Sequence, residues 1–414
     1  MFDKGSIIQY FRQKKGLTQE ELGHGICSKT HLSKIERGLT EVSEETITLL
    51  CDRMGFSMEE ELEKLENIKK LVETLQKQLI FQDVEKVSDL LIKFNHLEFS
   101  YIVPLYTRYL LLKARYLLLI NNIKEAGKIL FSKEIKKLKL PQPEEDILNH
   151  VLGIYYIGMN EYSKSLVFLK KVTLESYYNP EINYHLALTY YFCKAFTSSY
   201  YHCQKAKDFF VQMNNYKRVL DTESIMLMLL EDEGHLAFDE IQVRYFNLLE
   251  IAENTKDINS QIYLLHNYAY QLYKHKMYEE ASKYYLRAME VNQNNKFNHL
   301  ISHFGNVRSI FDGSLKDEKT ILLLIEEGLK EAKLSNQLLF INLFTLYQFK
   351  ANKDELNYYL FIEKNLLPYL YEIKEITFFD HYIKELTEYY IFNNKHAELF
   401  NVFKNYSINI TMGE

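Results

Sequence analysis

Two segments, Gly16-Leu17-Thr18-Gln19-Glu20-Glu21-Leu22 and, after a Gly23-His24-Gly25 turn, Ser28-Lys29-Thr30-His31-Leu32-Ser33-Lys34-Ile35-Glu36-Arg37-Gly38, carry the most specific pattern in this 414-residue chain. Thr18 and Ser28 each stand one residue before a short helical pattern, where a side-chain oxygen accepts from an otherwise unpaired backbone N–H. Gly16 and Gly38 stand where helices stop. Upstream, Ile7, Ile8 and Phe11 recur at helical spacing, and downstream Ser43 is placed to cap a fourth helix through Ile47, Leu49, Leu50 and Met54. Leu22, Leu32 and Ile35 then face a small shared core. The third helix turns Lys29, Thr30, His31, Ser33, Lys34 and Arg37 toward the faces left over.

The net charge of the chain is −6, yet between Lys4 and Arg37 there are seven basic residues against three acidic ones, a local excess of +4. Local distribution, not the total, decides whether a surface attracts phosphates. Residues 5 to 56 resemble the helix-turn-helix of phage-repressor type. The resemblance implies that Gln19 touches a phosphate or base and that Lys29, Thr30, His31 and Lys34 face the major groove. Ser28, Ser33 and Arg37 complete the expected DNA-binding set, with base edges read from the N-terminal half of the third helix. The alternative is a small bundle used for protein docking. Donors at every outward position of that helix favour DNA.

Working outward, Ile68, Leu71, Val72, Leu75 and Leu79 recur at three and four residues through Ser57–Gln82, a stretch without Gly or Pro. This spacing predicts one stiff amphipathic helix, serving as a transmission or dimer element or as the first helix of a C-terminal array. Over the whole chain, 14 Gly and 5 Pro are too few for the tight turns of an all-β protein, so the fold is expected to be all-α. Cys27, Cys51, Cys193 and Cys203 form neither a CxxC pair nor a disulfide framework, which suits reduced thiols in the cytoplasm. The N-terminus lacks the apolar core of a signal peptide. Tyr109–Ile120, the most apolar run, is broken by Lys113 and Arg115, so no membrane span is expected.

Beyond the connecting helix the sequence repeats itself. Leu152-Gly153-Ile154-Tyr155-Tyr156 is followed by Tyr162, Ser165, Leu169 and Val172; Leu186-Ala187-Leu188-Thr189-Tyr190 is followed by Ser199, Cys203 and Ala206. Gly153 and Ala187 lie 34 residues apart, the tetratricopeptide period. The clearest copy is Tyr268, Ala269, Leu272, Tyr278, Ala281, Tyr285 and Ala288, where the alanines let two antiparallel helices approach closely. A weaker copy lies at Ala114, Leu117, Ile123, Ala126 and Leu130, and drifted ones lie around Met228, Gly305 and Phe344. Stacked pairs make a right-handed superhelix with a concave surface lined by the first helix of each pair. Residues expected there include Arg115, Tyr184, Tyr191, Tyr263, His266, Asn267, Tyr270, Tyr273, His299, Asn306 and Asn342. Asn267 and Asn306 are singled out because an amide donates and accepts, satisfying an extended ligand backbone both ways. Either could instead bond to a neighbouring helix.

A helix-turn-helix followed by tetratricopeptide repeats resembles the peptide-responsive regulators of low-GC Gram-positive bacteria, the Rgg, Rap, NprR, PlcR and PrgX group. The resemblance covers nearly the whole chain and is strongest at residues 16 to 38 and 262 to 290. It implies a short imported signalling peptide in the repeat groove (Arg115, Tyr184, Tyr263, His266, Asn267, Tyr270, His299, Asn306, Asn342). It also implies a homodimer on an inverted-repeat operator in double-stranded DNA. The expected division is 1–66 for DNA binding, 57–82 as connector and 83–414 for peptide sensing and dimerisation. No cofactor, metal site or catalytic residue is expected, since no nucleophile–base motif, phosphate loop or ligand cluster is present and His202 beside Cys203 reads as a helix position facing a neighbour. Two rivals remain: a Rap-like regulator or phosphatase acting on a response regulator, with Gln76, Gln78 or Gln82 orienting water, and a scaffold binding a protein tail.

Overall fold

The computed structural model describes residues 2–232, 237–292 and 295–406, and among these every regular element is a helix. The first four are α1 (Lys4–Lys14), α2 (Gln19–Gly23), α3 (Lys29–Glu36) and α4 (Glu44–Met54). Each begins on the residue type that satisfies its first free N–H groups: Asp3, Thr18, Ser28 and Ser43 all accept from the backbone of the turn they open. Thr18 and Glu21 do so reciprocally. Gly16 and Gly38 adopt φ of 71° and 65°, which stops the preceding helices as expected. A Cβ on Gly5 would lie 2.1 Å from the Ile35 carbonyl oxygen, so α1 and α3 meet backbone to backbone. Ile7, Ile8, Leu22, Leu32, Ile35, Ile47, Leu50 and Met54 are buried between the helices. Leu49 is not; it lies outside the stripe formed by Ile47, Leu50, Cys51 and Met54 and is 46% exposed.

Ser57 caps α5 (Met58–Phe81), and Gln82 ends it in the left-handed region. Leu65, Ile68, Val72, Leu75 and Leu79 are buried along one stripe, each worth about 1.5–3 kcal/mol of burial. They pack against α6 (Val84–Phe94) and α7 (Val103–Leu119). One apolar cluster runs without a break from Ile7 to Leu112. The DNA-type bundle is also clasped from the side. Tyr10 stacks on Tyr101 with ring centroids 3.9 Å apart, Phe11 stacks on Phe56 at 3.9 Å, Lys14 pairs with Glu98 at 2.5 Å, and the Tyr101 hydroxyl donates to Glu61.

The remaining helices are α8 (Ile123–Leu130), α9 (Lys133–Lys137), α10 (Gln142–Gly158), α11 (Tyr162–Leu169), α12 (Ile182–Phe192), α13 (Phe196–Gln212), α14 (Tyr216–Asp232), α15 (Phe238–Asn254), α16 (Ile258–Lys274) and α17 (Tyr278–Val291). After them come α18 (Lys296–Asp312), α19 (Glu318–Leu334), α20 (Leu338–Ala351), α21 (Glu355–Phe361), α22 (Leu367–Glu372), α23 (Ile376–Phe392) and α24 (His396–Tyr406), with a π turn at Ile362–Leu366. Two compact units emerge: residues 1–159 with 164–182, and residues 160–163 with 183–414.

The repeat is visible bond by bond. The Ser165 hydroxyl donates to the Gly153 carbonyl at 2.9 Å, and 34 residues on the Ser199 hydroxyl donates to the Ala187 carbonyl at 2.7 Å. A small residue on the first helix and a hydroxyl on the second thus fix the pair at close range. Most turns are closed by a left-handed residue that is not glycine, among them Asn160, Lys194, Lys276, Ser314, Lys353 and Asn394. That explains how so many helices are joined with so few glycines. No helix among the described residues is long and apolar enough to cross a membrane.

Candidate functional site

The face of α3 is defined by which of its residues the core removes. Leu32, Ile35 and Glu36 are buried. Lys29, Thr30, Lys34 and Arg37 are exposed, with His31 and Ser33 half-buried beside them. Lys29, Ser33 and Arg37 make one i, i+4 row and Thr30 and Lys34 the next. Ser28 contributes by capping: its hydroxyl accepts from the His31 N–H at 3.2 Å. Lys29 and Lys34 make no ion pair among the described residues, and Arg37 donates to the Ser33 carbonyl at 3.0 Å. Glu36, the acidic residue of α3, brings no repulsion to this face. Its carboxylate accepts from Arg12 at 2.5 and 3.0 Å and from the Gln19 amide at 2.7 Å, locking α1, α2 and α3 together. Arg12 is therefore structural, and Gln19 stands at the start of α2 with its amide oriented by Glu36. Arg53 donates to the Leu22 and His24 carbonyls and so fixes the turn before α3. Among the acidic residues nearby, Glu21 is held below the ordinary carboxylate range by the hydrogen bond from the Thr18 backbone.

The residues expected in a repeat groove divide into two groups. In the first group, Tyr263, Asn267 and Tyr270 lie at i, i+4 and i+7 on α16, the tyrosines exposed and the amide half-buried with no hydrogen bond among the described residues. Asn342 on α20 is likewise half-buried and without a hydrogen bond among the described residues. In the second group, internal partners intervene. Asn306 is 2% exposed, its Oδ1 accepting from the Ser282 hydroxyl at 2.6 Å. Arg115 is buried in the first unit, donating to the Glu181 carboxylate. Neither lies on an open surface: the repeat offset that selected Asn306 also places it against the second helix of its neighbouring pair, and the long Arg115 side chain reaches back to a buried acid. His299 faces Glu331 at 2.9 Å, and Tyr184 lies under the Arg218 guanidinium at 3.8 Å. His266 Nδ1 is 3.2 Å from the Ser302 hydroxyl, and burial pushes its pKa down to about 4. The reason is the packing of α18, which is buried from Ser302 through Ile310; Phe378 of α23 lies against Phe304.

Of the other residues weighed, His202 faces Asn183 at 2.9 Å, as a neighbour-facing helix position should. Gln76 and Gln78 are half-buried on α5, and Gln82 is its left-handed cap. All four cysteines are free thiols. Sequence reading missed the Arg12–Glu36–Gln19 lock and the Tyr10–Tyr101 clasp. The first had a signal, a lone acid on a basic helix; the second joins residues with no common motif.

Residues 8–60 match the helix-turn-helix family. Across 89% of the chain and 94% of the relative, the sequence is 23% identical to the transcriptional activator NprA of Geobacillus stearothermophilus. The apo quorum sensor NprR from B. thuringiensis superimposes with a TM-score of 0.61 at 16% identity, over 82% of this chain and 97% of that one. NprR in complex with its cognate peptide NprX gives 0.61 at 17% identity, over 80% and 98%. A Rap protein complexed with Competence and Sporulation Factor gives 0.67 at 15% identity, over 82% and 96%. These superpositions are likenesses of fold: an all-α chain of tetratricopeptide type.

Proposed function

We propose that this chain is a transcriptional regulator of the Rgg, Rap, NprR, PlcR and PrgX type, whose binding to double-stranded DNA is set by a short signalling peptide held in the repeats. The observation that carries the reading is the face of α3, where Lys29, Lys34 and Arg37 stand exposed while the one acid of the helix is buried and neutralised. Similarity to a transcriptional activator over 89% of the chain supports it. Lys29, Thr30, His31, Ser33 and Lys34 enter the major groove, with Gln19, Ser28 and Arg37 toward the backbone. A single module of this size binds weakly, so the chain acts as a homodimer on an inverted repeat. DNA as partner places it in the cytoplasm.

In the repeats, Tyr263, Asn267 and Tyr270 supply flat contact area around an amide that pairs with a peptide backbone. The peptide shifts the population of repeat conformations, and the change reaches α3 through α5 and the continuous core from Ile7 to Leu112. Residues 1–66, 57–82 and 83–414 are then output, connector and sensor. The chain works by binding, not as an enzyme; action on a response regulator rests on the likeness to Rap in fold alone.

The test is a mobility shift with the chain's own promoter region. Lys29→Glu and Lys34→Glu each lower affinity at least about tenfold with the helical circular dichroism unchanged. Undiminished binding by both variants would falsify the assignment of α3. Asn267→Ala abolishes the peptide response and leaves basal DNA affinity intact.

A further inference from the structure

The second unit buries a cation in an unusual way. Most arginines withdrawn from water in this protein meet a carboxylate directly: Arg12 with Glu36, Arg108 with Glu144, Arg115 with Glu181, Arg218 with Asp221. Arg308, near the end of α18, is 9% exposed and has no carboxylate within ion-pair distance among the described residues. Its Nε has no acceptor, and its Nη2 donates to the Tyr273 hydroxyl at 3.3 Å. That phenol in turn donates to Asp312, whose other oxygen is 3.3 Å from Lys350. Asp312, one turn further along α18, is thus already engaged twice. Glu385, on α23, is occupied by the Tyr358 hydroxyl at 2.8 Å and faces His381 at 3.8 Å.

Aromatic rings make up part of the deficit. The guanidinium carbon lies 4.6 Å from the Tyr273 ring centre and 5.8 Å from that of Phe304. Tyr382, one repeat beyond Tyr347 on α23, is 1% exposed with its hydroxyl also lacking a partner. At the edge of this cluster the Lys350 side chain is 32% exposed and that of His381 48%. A guanidinium held out of water without a counter-ion is unfavourable unless an anion is to join it. Its planar fork matches a carboxylate in two hydrogen bonds.

We propose that Arg308 receives a carboxylate of the bound peptide, with the Tyr382 hydroxyl as a second donor and Lys350 at the rim. The assignment rests on the peptide reading above and names the ligand group it selects. The carboxylate is either the peptide's C-terminus or an acidic side chain; the chemistry is the same.

Three pools of mixed-sequence synthetic heptapeptides are incubated with the full-length protein, and those retained through gel filtration are counted by mass spectrometry. One pool has free C-termini and no Asp or Glu, the second is C-terminally amidated with Asp and Glu present, and the third is amidated without either. The wild-type chain retains at least about tenfold more from the first or the second pool than from the third. Preference for the first assigns the terminal carboxylate, preference for the second the side chain, and either supports the proposal. Arg308→Gln brings that preference close to unity, while the melting temperature of the free protein does not fall. Arg308→Lys keeps the charge, loses the fork and retains part of the preference. Equal retention from all pools by the wild type overturns this assignment and leaves peptide binding standing. Retention from none overturns peptide binding as well. A purely structural Arg308 would show a lowered melting temperature in Arg308→Gln with the preference unchanged.

Discussion

The helix-turn-helix and the last repeats treat charge in opposite ways. In the N-terminal bundle the buried acid Glu36 is fully occupied by Arg12 and Gln19, and the unpaired cations Lys29 and Lys34 are on the outside. In the second unit the acids Asp312 and Glu385 are occupied, and a cation without a carboxylate partner among the described residues, Arg308, is on the inside. The difference fits two kinds of anion. A duplex presents a lattice of phosphates that is met from outside by solvated cations. A single small anion gains most from a dry, directed donor.

The largest expected effect breaks the first half of this contrast. Arg12→Ala strands a carboxylate whose side chain is 2% exposed with only the Gln19 amide for support. Denaturant unfolding of the full chain should show a loss of about 3–5 kcal/mol in the first transition. A loss within about 0.5 kcal/mol would mean that Glu36 is not the lock described. Arg308→Gln, by contrast, removes a charge with no acid to strand.

The second effect probes the array through pH. Burial pushes the His266 imidazole down to about 4 when folded, against the ordinary 6.5 of an unperturbed histidine. Between these values the unfolded chain takes up a proton that the folded chain refuses. The stability present above about pH 6.5 is therefore lost progressively as pH falls toward 4, by up to about 3 kcal/mol. Melting curves of His266→Gln should fall less steeply than wild type across that window; parallel curves would show that His266 titrates freely.

The smallest effect lies in the turns. Lys276 sits at φ 60°, a conformation that is unfavourable for any residue with a Cβ. Lys276→Gly should raise stability by about 0.5–1 kcal/mol, the relief of that conformation being partly offset by a more flexible unfolded chain. A lower midpoint in urea would show that the Lys276 side chain contributes more than its backbone costs.

Much of this architecture was legible in the sequence because it is local. Caps, glycine stops and the stripe of α5 depend on residues within a few positions of one another, and Ser57 and Gln82 bound that helix as the spacing predicts. The 34-residue period was legible because two successive pairs make the same contact, Ser165 to Gly153 and Ser199 to Ala187. What the sequence hid was the long-range pairing. Position within a repeat selected Asn306 as readily as Asn267, yet Ser282 takes one and leaves the other. Leu49 is exposed because the core stripe of α4 runs through Ile47, Leu50, Cys51 and Met54, and an apolar residue type alone does not place a side chain on that stripe. Nothing local in Tyr10 or Tyr101 announces that their rings stack across ninety residues of chain.

Under the proposed function, that stack bears on how an operator would be measured. With Tyr10 on Tyr101, Lys14 on Glu98 and Phe11 on Phe56, the reading head is a fixed fitting on α5–α7, not a bead on a string. In the proposed dimer, two such heads would form a rigid caliper. One extra base pair in the spacer turns a half-site by roughly 35° around the duplex. On the proposed inverted repeat a tethered head would swing to track it and a clasped one would lose its grip, so spacer length would become as much a part of the recognised word as its letters.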